Sequence, residues 1–151
     1  MKVVKMTFIA AALSLAYAGP IYAADSMAKD AVKSERQRIE ADAKAAREKC
    51  KDMKGNAKDL CTAEAKGQEK VAKAELALKQ KDTPKNRYDV AAAKADMEYG
   101  VAKEKCDDMK GKDKDACQKD AKTARDGAKK QAKSEREAAE PRKEARAKKE
   151  G

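Results

Sequence analysis

The chain has 151 residues, 42% of them charged, with 37 basic against 27 acidic side chains, a formal net charge of +10 and no histidine. Aromatic residues make up only 3%, with one Phe and no Trp. So few large apolar side chains exclude a conventional globular core and leave two classes, a disordered polyampholyte or a helical assembly rich in Ala, Lys, Glu and Asp.

The first element is the N-terminal segment 1–24. Lys2 and Lys5 make a basic start, Met6–Ala18 an apolar run of thirteen residues, and "GPIYAA" a turn-prone, small-residue end. That order is the one a secretory signal peptide uses, with cleavage expected after Ala23 or Ala24. The apolar run is too short to span a bilayer comfortably. The expected exported protein therefore begins at Ala24 or Asp25 and has no stable membrane span. Loss of Lys2 and Lys5 lowers its net charge from +10 to +8.

The remainder of the chain holds eight branched aliphatics, Val32, Ile39, Leu60, Val71, Leu76, Leu78, Val90 and Val101. Ala, Lys, Glu, Gln and Arg are strong helix formers, and proline occurs only at Pro20, Pro84 and Pro141. Helices are therefore expected rather than disorder. In the first one, Val32, Ile39, Ala43, Ala46, Cys50 and Met53 recur at spacings of 7, 4, 3, 4 and 3. Such a narrow heptad seam packs along one partner helix.

The seam runs into "EKCKDMKGNAKDLC" at 48–61, which returns at 104–117 as "EKCDDMKGKDKDAC". Eleven of the sixteen positions in 46–61 match their counterparts in 102–117, so the chain carries an internal duplication. Gly55 and Gly111 stand where a helix end needs a residue at positive φ, and Asn56 offers a helix cap; in the second copy Lys112 replaces Asn56, and Asp113 is expected to take over the capping. Each segment reads as helix, tight turn, helix. Cys50 and Cys61 lie equidistant from the Gly55–Asn56 pair, and Cys106 and Cys117 flank Gly111 in the same way, so each pair falls side by side in an antiparallel hairpin. An even cysteine count in an exported chain points to disulfides. Four cysteines allow three pairings, and the shared frame favours Cys50–Cys61 with Cys106–Cys117 over links between the repeats.

The linker comes next. "KDTPKN" at 81–86 separates hairpin repeat 1 (25–80) from hairpin repeat 2 (87–140). The second seam is Tyr88, Ala92, Ala95, Tyr99, Ala102, Cys106 and Met109, alternating 4 and 3. The expected fold is all-α, two disulfide-stapled antiparallel helical hairpins that form a coiled-coil-like four-helix bundle or extend as a jointed rod. Gly67, Gly100 and Gly127 are expected to weaken their helices locally, and the charged tail 141–151 to be disordered.

The duplicated C-x2-M-K-G-x3-D-x-C frame, with "AEAKGQEKVAKAELALK" and "RYDVAAAKADMEYGVAKEKCDDMKG", resembles a group of small periplasmic Ala/Lys-rich proteins of Gram-negative bacteria, labelled TolA-like or cell-envelope biogenesis proteins. The resemblance covers most of 27–132 and implies a periplasmic location and an elongated helical shape. It brings no established activity with it.

Chemistry-bearing motifs are lacking. There is no G-x-S-x-G, P-loop, H-E-x-x-H or dinucleotide fingerprint, and the carboxylates alternate with Lys and Arg as on a solvated helix. The expected function is a non-enzymatic structural or interaction protein of the cell envelope, without a cofactor, its partner an envelope protein, an anionic envelope surface or a second copy. The alternative is a binder of polyanions or of a soft metal. In the reduced state Cys50, Met53 and Cys61, or Cys106, Met109 and Cys117, supply three sulfur ligands suited to Cu(I). Basic residues interleaved with acids, and no aromatics placed for stacking, argue against nucleic acid.

Overall fold

The computed structural model describes residues 29–140; the expected signal peptide and the tail 141–151 lie outside them. Four helices account for nearly all of this span, α1 (Lys29–Lys49), α2 (Gly55–Gln80), α3 (Pro84–Cys106) and α4 (Gly111–Ala139). None is long and apolar enough to cross a membrane.

The ends of the helices follow from local chemistry. Arg47 and Lys49 occupy the last turn of α1 and Lys103 and Lys105 that of α3, where positive charge complements the exposed carbonyls. The α2–α3 turn is shorter than "KDTPKN" implies. Thr83 is extended and its side-chain oxygen accepts the Asn86 amide at 3.0 Å, with Pro84 in the first helical turn. Pro fits there because its missing N–H has no intrahelical partner to lose. Residues 84–86, expected in the linker, are therefore the first turn of α3. Asn86 also closes the preceding helix, since its Nδ2 donates to the carbonyls of Ala77 (3.1 Å) and Lys81 (2.7 Å).

The expected all-α pair of stapled hairpins is present, cross-linked by Cys50–Cys61 and Cys106–Cys117. The hairpins do not swing apart as a jointed rod, because α2 packs along α3 as extensively as α3 along α4. Nor does the bundle close. Each helix touches only its neighbours in sequence, so α1, α2, α3 and α4 lie side by side in an open array. Both disulfide turns fall at one end of it and the Thr83–Pro84 turn at the other.

An open array buries little. Ile39, Ala43, Cys50, Ala65, Leu76, Ala95, Cys106 and Ala132 are the buried apolar residues among those described. Six of the eight are Ala or Cys, so the helices meet mostly through small side chains, and interaxial distance shortens accordingly. Gly67 is the extreme case. It is buried, and a Cβ built there stands 2.8 Å from Met97 Cβ and 3.2 Å from Met97 Cα. At Gly67 the missing side chain therefore admits Met97 of α3 close against α2, a packing role across the hairpins in addition to the local weakening expected from its helix propensity.

Candidate functional site

The duplicated end is the most strongly specified part of the molecule. In the first copy the chain leaves α1 through a tightened turn, the Lys51 amide reaching the Glu48 carbonyl at 3.0 Å and that of Met53 the Cys50 carbonyl at 3.2 Å. Lys54 is then extended (φ −128°, ψ 156°) and Gly55 takes φ 56° to enter α2. The second copy repeats this with Met109 to Cys106 (3.0 Å), Lys110 at φ −130°, ψ 152°, and Gly111 at φ 55°. Left-handed backbone is costly for residues with a Cβ, which explains glycine in both copies. These glycines open the second helix of each hairpin rather than end the first. The expected cap at Asn56 is not made, nor is one at Asp113, because the N-cap positions belong to Lys54 and Lys110, which bring no side-chain bond. With the positive-φ residue entering the helix, the side chains after it already lie inside the first turn.

The cysteines meet as the mirror position about the turn requires. Their Cα atoms are 5.6 and 5.7 Å apart, within the span a disulfide bridges without backbone movement. Cys50 and Cys106 are buried, Cys61 and Cys117 half-buried or exposed only in part. Every cysteine is taken up, so in this oxidised form the Cu(I) set of Cys50, Met53, Cys61, Cys106, Met109 and Cys117 has lost its thiolates. Met53 and Met109 do not end the seams as their spacing predicts. Both lie past the last helical turn and are the exposed large apolar side chains of the described chain, at 43% and 46%. The seams stop at the cysteines.

Above the turns the two hairpins diverge. Between α1 and α2 lies a cleft of about 330 Å³ with an apolar floor that includes Ile39, Ala43, Ala65 and Leu76 and a charged rim that includes Glu35, Arg38, Asp42 and Glu75. Glu69 ties the two helices, paired with Arg47 from α1 and with Lys73 on its own helix at 2.6 Å. The hydrogen bond from Lys73, then that from Arg47, holds the Glu69 carboxyl below the ordinary glutamate range. Between α3 and α4 only a smaller cleft of about 140 Å³ remains, beside Tyr88, Ala132 and Arg136, and stacked side chains bridge the two helices. Arg125 stands 4.3 Å over the Tyr99 ring and Arg136 5.1 Å over Tyr88, distances typical of cation–π contact. Lys129 bonds Asp96 at 3.0 and 3.1 Å. Asp107 receives Lys114 at 2.8 Å and Gln118 at 2.9 Å, and the Lys114 bond is the largest cause of its lowered pKa.

Chemically, this surface offers ion pairs, two exposed thioethers and an amphipathic cleft. Among the described residues no group of three or more His, Cys, Asp or Glu is placed to hold a metal ion. The roles of Thr83 and Asn86 escape the sequence patterns, although Thr-Pro is a recognisable helix start. Those of Arg125 and Arg136 escape them too, and their only signal is a separation equal to that of the two tyrosines they cover. Compared with protein-family models, with characterised proteins and with solved structures, the chain finds no match in any of the three.

Proposed function

We propose that this is an exported, non-enzymatic interaction protein of the bacterial envelope, a thin helical array that presents side-chain surface to a partner rather than enclosing a substrate. One observation carries the reading. All four cysteines are consumed in two disulfides, each within one copy of a duplicated turn. Such bonds persist in oxidising compartments and are reduced in most cytosols. The signal-like segment 1–24 supplies the route to such a compartment, and the resemblance to TolA-like periplasmic proteins points to the same place.

The shape suits contact. Two faces of the array are open to solvent, and most of the exposed side chains on them are Lys, Arg, Asp and Glu. A net charge lowered only from +10 to +8 by loss of Lys2 and Lys5 draws such a protein toward anionic surfaces through a screened, salt-dependent attraction. The test is fractionation of a Gram-negative host expressing the full chain, followed by intact mass measurement. The protein is expected in the periplasmic fraction with its N-terminus at Ala24 or Asp25. Full-length protein confined to the cytosol would overturn this function.

A further inference from the structure

The two faces of the array are not alike. On α2, Leu60, Val71 and Leu78 follow one another after about three turns and then two, which puts them on one narrow stripe of the helix. On α3, Val90 and Val101 are likewise about three turns apart. All five are half-buried because they flank the α2–α3 contact, leaving part of each on this face, and they are five of the eight branched aliphatics that come after residue 24. The Glu75–Lys94 ion pair (2.9 Å) fixes which side they share, since helical geometry places the α2 stripe between Glu75 and the α3 contact, and the α3 valines between Lys94 and the α2 contact. Glu75 also lines the α1–α2 cleft, so the cleft opens on this face too. The opposite side of the same helices carries Lys70, Ala77, Ala93 and Gly100.

Charge flanks the stripe in a self-complementary way. Glu64 and Glu75 stand on the α2 side of this face and Lys94 and Lys105 on the α3 side, each pair with the same separation as Val90 and Val101. Because α2 and α3 are antiparallel and Glu75 is level with Lys94, Glu64 and Lys105 are level again about 16 Å along.

We propose that this face is the contact surface for a second copy of the chain. A two-fold axis parallel to the helices lays α2 of one copy over α3 of the other, antiparallel and at the same height. The aliphatic stripes then meet at the centre, with Glu64 and Glu75 of each copy facing Lys105 and Lys94 of its partner. This isologous arrangement closes on itself, and it turns two single-layer arrays into a two-layer bundle with an apolar interior. Lys79 and Arg87 approach one another at the far end, where Asp82 already holds Arg87 through two hydrogen bonds of 2.6 and 2.7 Å. A second copy gives the interaction role its partner, and it rests on that role only for the face being a contact surface.

The test is sedimentation velocity of the oxidised protein over a wide concentration range, with two charge-reversed variants, Glu64→Lys/Glu75→Lys and Lys94→Glu/Lys105→Glu. Glu64, Lys94 and Lys105 are solvent-exposed and Glu75 is half-exposed, and circular dichroism checks that each variant keeps its helices. The wild-type protein is expected as a dimer and each variant alone as a monomer. An equimolar mixture of the variants is expected to recover the dimer, because the mixed pair restores Glu against Lys on both sides. A wild-type monomer throughout the range overturns the proposal, as does a dimer whose mass neither variant changes. A monomer retained by vesicles containing anionic phospholipid also overturns the second copy, while leaving the interaction role standing. A charge-dependent dimer found only in the cytosol would do the reverse.

Discussion

The two hairpins began as copies and now hold together differently. In the register that sets Cys50 against Cys106, buried Ile39 and Leu76 of hairpin 1 correspond to buried Ala95 and Ala132 of hairpin 2, while Val32 and Ala43 correspond to Tyr88 and Tyr99. Bulk has moved from the middle of the seam to its flanks. In hairpin 1 the Ile–Leu pair keeps α1 and α2 apart, leaving the cleft and the thinnest of the three helix–helix contacts. In hairpin 2 alanines let α3 and α4 approach, and the tyrosines are roofed by Arg125 and Arg136. The cross-linked turn, by contrast, is alike in both. The turn is therefore what the two copies keep in common, and the seam above it is negotiable.

The largest test of that difference removes the staples one at a time. Each closes the same short loop, so the chain-entropy cost of losing either is about 3 kcal/mol. The remaining contacts differ. Cys50→Ser/Cys61→Ser is expected to free α1 into rapid amide exchange and proteolysis, because α1 touches α2 alone and sparsely. Cys106→Ser/Cys117→Ser is expected to leave α4 docked at neutral pH. Hydrogen exchange with peptide-level mass spectrometry reads both, and equal protection of α1 and α4 in the two variants would remove the contrast between the hairpins.

Next in size is the seam. Ile39→Ala is expected to cost about 2–3 kcal/mol in denaturant melts, from lost burial and a larger cleft. Ala95→Leu, which puts bulk at the corresponding position of hairpin 2, is expected to cost about 1–3 kcal/mol by overpacking where the helices are close. A neutral Ala95→Leu would mean that α3 and α4 have the same room as α1 and α2.

Glycine substitutions separate contact from propensity. Gly67→Ala is expected to destabilise by about 1–2 kcal/mol, because Met97 backbone as well as side chain stands against the new methyl group. Gly127→Ala meets nothing within 4 Å and is expected to stabilise α4 by about 0.5–1 kcal/mol. Thermal melts of the two variants should move in opposite directions.

The smallest effect is that of pH. Glu69 in hairpin 1 and Asp107 in hairpin 2 both have lowered pKa values, from hydrogen bonds of Lys73 and Arg47 in one and chiefly Lys114 in the other. A carboxyl whose folded pKa is depressed stabilises the fold above its unfolded value, and that contribution is lost as pH falls through the folded one. Melting temperature should therefore drop modestly from neutral pH into the acid range below the ordinary carboxylate values. Glu69→Gln should flatten the acid slope in hairpin 1, as seen by exchange within α1.

Much of this architecture is legible in the sequence because it is covalent or local. The equidistance of the cysteines from the Gly55–Asn56 and Gly111–Lys112 pairs anticipates which Cα atoms come within disulfide reach, and Pro84 marks the break between hairpins. What escapes is the second face of each inner helix. The 4,3 pattern of α3 finds the Tyr88–Cys106 seam toward α4, but α3 must also meet α2, and it does so through Met97 against Gly67. An alanine-rich helix offers apolar surface nearly all round, so periodicity alone does not say how many partners it has. Met53 and Met109 continue the seam arithmetic but fall beyond the helix, where helical periodicity no longer applies. Asn56 has the composition of a cap without the backbone position of one.

Each half of the molecule is held by its own sulfur bridge across the duplicated turn. Peptide mapping of the exported protein by mass spectrometry under non-reducing conditions addresses it directly. Two linked fragments are predicted, one joining Cys50 to Cys61 and the other Cys106 to Cys117, with no alkylated thiol. Free thiols in the exported protein, or a fragment linking one repeat to the other, would contradict it.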